Sequence, residues 1–114
     1  MGAGIVRIVT DASFERDVLG ARRPVLLAFG APWCGPCQLL SPALRALAAT
    51  HRDRLVVGKL DVDANPATAD RFGVETYPLC ILFREGEEIE RLDGYMPLRK
   101  IETLLGPHLQ TALS

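Results

Sequence analysis

The sequence predicts an α/β fold with a central mixed five-stranded sheet flanked by four helices, and three observations predict it. Short β-rich segments alternate with stretches of helical apolar spacing through the first two thirds of the chain, the pattern of parallel strands joined by right-handed crossovers. The run Val25-Leu26-Leu27-Ala28-Phe29 is apolar throughout, as a strand buried on both faces must be. Further on, Arg84-Glu85-Gly86-Glu87 leaves room only for a tight turn between two strands, which must then be antiparallel.

The elements follow in order. Residues 5–9 form a short first strand, and Thr10 or Asp11 can cap a helix whose apolar positions Phe14, Val18 and Leu19 recur at helical spacing. Arg22-Arg23-Pro24 ends that helix and the apolar run 25–29 becomes a central strand. Residues 34–51 carry Leu40, Leu44, Leu47 and Ala48 on one stripe and make the longest helix, with a kink expected near residues 38–42 because Pro42 removes one backbone hydrogen bond. Residues 55–61 are the third strand, and Asn65-Pro66 opens a short helix through Phe72 that Gly73 can end. Tyr77-Pro78 leads into a fourth strand over 79–83, the turn follows, and residues 88–92 form the fifth. A closing helix over 97–109 places Leu98, Ile101, Leu104 and Leu105 on one face. There is no repeat, low-complexity tract or linker, so residues 1–114 read as one domain.

Composition narrows the functional classes. With 114 residues, 48% apolar and a net charge of −1, the chain can build a core but carries no basic stripe of the kind nucleic acid demands. The N-terminus lacks a basic segment followed by a long apolar one, and residues 25–31 are too few to span a bilayer, so the expectation is a soluble, cytoplasmic protein without membrane contact. Three cysteines in such a chain fit a reducing compartment, where Cys-x-x-Cys points to redox or metal chemistry.

Cys34 and Cys37 carry that chemistry. They sit where the apolar strand meets the longest helix, so Cys34 falls at a helix N-terminus, whose partial positive charge and unpaired N–H groups favour the thiolate. Cys37, one turn on, is placed to attack a mixed disulfide formed at Cys34. Pro36 has no N–H to lose in a first helical turn and stiffens the loop. A zinc site would need two further ligands at finger-like spacing, which Cys80, His51 and His108 do not offer. Cys80, in an apolar strand, reads as a small core hydrophobe, and His51 and His108 read as surface residues. Trp33, beside Cys34, reads as a partly exposed groove wall, and the acidic stretch 85–90 as a solvated turn and edge strand.

The pentapeptide Trp33-Cys34-Gly35-Pro36-Cys37, between a buried strand and a long helix and with Pro78 some forty residues later, resembles the active-site motif of the thioredoxin family. The resemblance covers nearly the whole chain and implies the thioredoxin fold and a cis peptide bond before Pro78. It implies a substrate groove walled by Trp33, Gly35, Pro36, Tyr77, Pro78 and Gly94. It also implies a protein disulfide reductase that binds no cofactor and no metal itself, acts as a monomer on disulfide-containing proteins, and is recharged by NADPH through a thioredoxin reductase. The Gly35-Pro36 dipeptide resembles the reducing branch of the family.

Two positions depart from the family pattern. Ala28 stands where the family has a buried aspartate that assists deprotonation of the second cysteine, and Gly30 where a tryptophan is common. Lys59, matching the lysine that pairs with that aspartate, then has three options open: to snorkel, to support thiolate charge, or to pair with Asp61. The expectation is a stable protein with retained but slower dithiol exchange. The alternative reading is a thioredoxin-fold binding or chaperone module of low turnover, and a third is a dedicated electron donor to one enzyme.

Overall fold

The computed structural model describes residues 4–112. Its five strands are β1 (Arg7–Ile8), β2 (Val25–Gly30), β3 (Val56–Asp61), β4 (Leu79–Arg84) and β5 (Glu87–Asp93), arranged in the order β1-β3-β2-β4-β5. β3 runs parallel to β1 and β2, while β4 is antiparallel to both β2 and β5. The helices are a single π-helical turn (Glu15–Leu19), α1 (Gly35–Thr50), α2 (Pro66–Arg71) and α3 (Leu98–Ala112). This is the expected α/β architecture, with the central strand β2 paired on both sides.

Period-two alternation along β2 divides the core into two layers. Val25, Leu27 and Phe29 pack with Phe14, Val18 and Ala69, on the face covered by the π-helical turn and α2. Leu26 and Ala28 pack with Leu40, Leu44, Leu47, Ile101 and Leu105, on the face covered by α1 and α3. Both faces of the strand are therefore dry, which is why its sequence shows no polar alternation. The hairpin between β4 and β5 places Glu85 and Gly86 at φ of 53° and 80°, the left-handed pair that a two-residue turn matched to strand twist requires.

The details differ from expectation at several elements. β1 is two residues long instead of five: Arg7 and Ile8 pair with Gly58 and Lys59, after which Thr10 and Ser13 exchange hydrogen bonds and turn the chain. The first helix is one π-helical turn closed by the Gly20 N–H on the Glu15 carbonyl at 2.9 Å. α1 runs from Gly35 to Thr50, one residue shorter at each end than expected, with Pro42 inside it as expected. In α3 it is Ile101, Leu105 and Leu109 that are buried, whereas Leu104, placed on the inner face by the sequence pattern, is exposed.

Asp11 does not cap the helix that follows it. Its carboxylate caps α2, 56 residues away in the chain, accepting the backbone N–H groups of Ala67 (3.1 Å) and Thr68 (2.9 Å) and the Thr68 hydroxyl (2.6 Å). In return the Asp11 N–H donates to Asn65 Oδ1 at 2.9 Å. Burial pushes the Asp11 carboxyl up, but the Thr68 hydroxyl and the two N–H groups together hold it below its ordinary 3.8. A lowered native pKa means that the ionised group stabilises the fold above the ordinary carboxylate pKa, and that this contribution disappears as pH falls through the native value. Asp11→Ala is expected to cost about 1 to 2 kcal/mol at neutral pH, the range of a lost N-cap. Urea unfolding across acid pH checks it: the gap between wild type and variant should shrink below the ordinary value of 3.8.

Candidate active site

The end of β2 and the start of α1 are joined by residues 31–34, which bring a strand terminus directly onto a helix terminus. Cys34 is the N-cap of α1, in extended conformation, and its sulfur accepts the Cys37 N–H at 3.2 Å. Pro36 occupies the first turn, where its missing N–H costs nothing, and no acidic side chain lies there to oppose negative charge. Cys34 and Cys37 form a disulfide with Cα atoms 5.2 Å apart. A Cys34 thiolate released from this bond would keep one backbone donor and the positive end of a sixteen-residue helix.

Around the disulfide lie the other residues singled out in the sequence. Trp33 is 66% exposed, is not part of the core, and donates its indole N–H to Asp63 Oδ2 at 2.7 Å. The Tyr77 ring meets it edge-on at 6.0 Å. The Tyr77–Pro78 peptide bond is cis, as the resemblance implied. Gly94, at φ 82°, donates its N–H to the Pro78 carbonyl at 2.9 Å, a backbone conformation that side chains resist. Nothing lies within 4 Å of the Cβ position of Gly35, so there is open space beside the residue that follows Cys34. Asp63 was missed by sequence reasoning. The signal was present in Asp61-Val62-Asp63, whose Asp61 Oδ1 accepts the Asp63 N–H at 2.9 Å in a local turn that aims the second carboxylate at Trp33.

Behind the disulfide the structure opens. A cavity of about 310 Å³ lies between the sheet and the first turns of α1, lined among others by Ala28, Gly30, Cys37, Leu40, Ser41 and Lys59. Any side chain at Gly30 would begin 2.9 Å from the Cys37 sulfur, so the bare glycine is what leaves this sulfur facing the cavity. Cys37 is accordingly half-buried, while Cys34 is only 4% exposed. Lys59 is exposed and reaches Ser41 Oγ at 3.4 Å. It does not pair with Asp61, whose Oδ1 accepts the Asp63 N–H, and among the described residues it makes no ion pair.

The remaining titratable groups stand apart from the disulfide. Cys80 is buried in β4 beside Ala28 and Leu92, and burial pushes its thiol up to about 12, so it stays protonated and acts as core. His51 caps the far end of α1 and is partly buried against Glu102 of α3, with Nε2 2.9 Å from Oε2, where the sequence suggested a surface position. His108 lies 3.9 Å from Glu90. Among the described residues no group of three or more His, Cys, Asp or Glu side chains could hold a metal ion, and no helix is long and apolar enough to cross a membrane.

A reversible dithiol at a helix N-terminus, in a mixed sheet and beside a cis-proline loop, makes this a thiol–disulfide oxidoreductase by fold and by chemistry. The thioredoxin family model matches residues 5–106, and the chain belongs to the thioredoxin family. It is 42% identical over 102 residues to a thioredoxin of Alicyclobacillus acidocaldarius subsp. acidocaldarius, covering 90% of this chain and 96% of that one. It is 51% identical over 88 residues to a thioredoxin of Mycolicibacterium smegmatis, covering 75% and 79%. A bifunctional thioredoxin reductase/thioredoxin of Mycobacterium leprae is 48% identical over 92 residues, 81% of this chain and 20% of that longer one. Members of this family exchange electrons with disulfide substrates and with a thioredoxin reductase, and bind no cofactor of their own.

Proposed function

We propose that this chain is a general protein disulfide reductase in which Cys34 is the attacking sulfur and Cys37 the resolving one. The observation that carries the assignment is the Cys37 N–H on the Cys34 sulfur at the N-cap of α1, since a thiolate gains there what a neutral thiol does not. The Cys34 thiolate attacks one sulfur of a substrate disulfide, forming a mixed disulfide and expelling a substrate thiolate. The Cys37 thiolate then attacks the Cys34 sulfur, forming Cys34–Cys37 and expelling the second substrate thiolate, so two electrons pass to the substrate. Trp33, Gly35, Pro36, Tyr77, Pro78 and Gly94 form the groove in which the substrate strand lies, and Lys59 gives electrostatic support from the cavity side. The reading extends to a single monomeric domain in the cytoplasm, drawing electrons from NADPH through a thioredoxin reductase.

Reduction of insulin by dithiothreitol, with this protein in catalytic amounts, tests the reading. Precipitation of the reduced chains well ahead of the dithiothreitol background is the expected result. No acceleration by a folded protein would overturn it in favour of a binding module.

A further inference from the structure

The cavity beneath the disulfide has the makings of a ligand site in its own right, whatever the chain reduces. Its walls are mostly aliphatic, from Ala28, Leu40 and Leu44, and Cys37 borders it beside Gly30. Most of its polar groups already have work. The Gln38 amide donates to the Pro32 carbonyl at 3.1 Å, the Ser41 hydroxyl to the Cys37 carbonyl at 3.4 Å, and Asp61 accepts the Asp63 N–H. Lys59 is different. Its ammonium has three donors, one long contact to Ser41, and no ion pair among the described residues. An apolar chamber with an uncommitted cation at one side selects an anion with an apolar body.

Polarity fixes how such a molecule lies. Lys59 is the sheet neighbour of Ala28, while Asp61 is the neighbour of Gly30, so the positive and negative lining groups sit at successive levels of the same face. The anionic head belongs at Lys59 and Ser41, away from Asp61, and the body runs over Ala28 toward Cys37. At about 310 Å³ the cavity is at the small end of the range that small-molecule sites occupy, which suits a short amphiphile such as an eight-carbon carboxylate.

We propose that this cavity binds a medium-chain aliphatic monocarboxylate, held by Lys59 at its head and packed against Ala28, Leu40 and the Cys37 sulfur along its chain. Occupancy covers Cys37 and leaves the outer groove free. The proposal rests on the cavity and its charges, and its binding test does not depend on reductase activity.

Octanoate is the probe, titrated into the oxidised protein and followed by backbone amide NMR. Saturable shifts at Ala28, Gly30, Cys37 and Ser41 are expected, with octylamine binding markedly more weakly. Lys59→Met keeps the stem and loses the charge, and is expected to weaken octanoate about tenfold, as for one charge-assisted contact. Ala28→Leu fills the chamber and should abolish the shifts. In reduced Cys34→Ser protein, saturating octanoate should slow alkylation of Cys37 by iodoacetamide severalfold. Absence of saturable shifts up to about 20 mM, roughly three times the Kd of about 6 mM that ten non-hydrogen atoms at ordinary efficiency imply, would overturn the proposal. So would equal binding of octylamine, unchanged affinity in Lys59→Met, or unchanged shifts in a folded Ala28→Leu variant. Unprotected Cys37 would remove the placement against the sulfur. Should Ala28→Leu fail to fold, the Lys59→Met and octylamine comparisons decide.

Discussion

Cys34→Ser is expected to lower insulin reduction by about 10³-fold or more, to the level of the dithiothreitol background, because removal of a covalent nucleophile leaves only binding. Cys37→Ser should also stop turnover, but after one event: it is expected to accumulate a mixed disulfide at Cys34, visible as a mass increase on the intact protein. The contrast decides between two opposing features of the site. Exposure favours Cys37, which is half-buried and borders the cavity, over Cys34, which is 4% exposed. Thiolate stability favours Cys34, whose sulfur already accepts a backbone N–H at the start of α1. Exchange rates follow the thiolate fraction, and a sulfur facing an aliphatic wall has little of it, so the helix terminus should prevail. Mixed disulfide trapped at Cys37 in Cys34→Ser, and none at Cys34 in Cys37→Ser, would reverse the two roles.

Sequence reasoning reached the parts of this fold that local chemistry dictates. The apolar run of β2, the Pro36 first turn and the Glu85-Gly86 hairpin each have one physical reading at the scale of a few residues, and each forms where expected. What stayed hidden depends on partners distant in the chain. Asp11 looked like the cap of the next helix because a capping carboxylate in sequence carries no address, yet it serves α2 through Ala67 and Thr68. Leu104 and Leu105 fit one helical stripe equally well by spacing, and only packing against α1 turned the second inward. The cavity was half legible. Small residues at 28 and 30 were evident, but that both open on one space shared with Cys37 and Lys59 follows from the β2–β3 register and from where α1 lies over the sheet.

Ala28→Asp is the substitution that most sharply tests how this site works. Ala28 is 6% exposed, and an ionised carboxylate taken out of water commonly costs several kcal/mol. Here the cost is reduced by space in the cavity and by Lys59 on the adjacent strand, so the expected net loss is about 1 to 3 kcal/mol at neutral pH. The pH dependence has a definite sign. Burial raises the native pKa of the new carboxyl above its unfolded value of about 3.9, so the unfolded chain gives up its proton first and stability falls as pH rises between the two values. Wild type and variant should therefore be close in stability at about pH 3 and separate toward neutrality. Rate should move the other way. A carboxylate in this chamber faces the Cys37 sulfur, and a positioned base is typically worth about 10²-fold or more in the step it serves. Where resolution of the mixed disulfide limits turnover, Ala28→Asp should accelerate insulin reduction toward that factor, and Ala28→Asn, isosteric but unable to take a proton, should not. Equal rates in the aspartate and asparagine variants would mean that Cys37 already loses its proton efficiently to water in the open cavity, and that the alanine costs the reaction nothing.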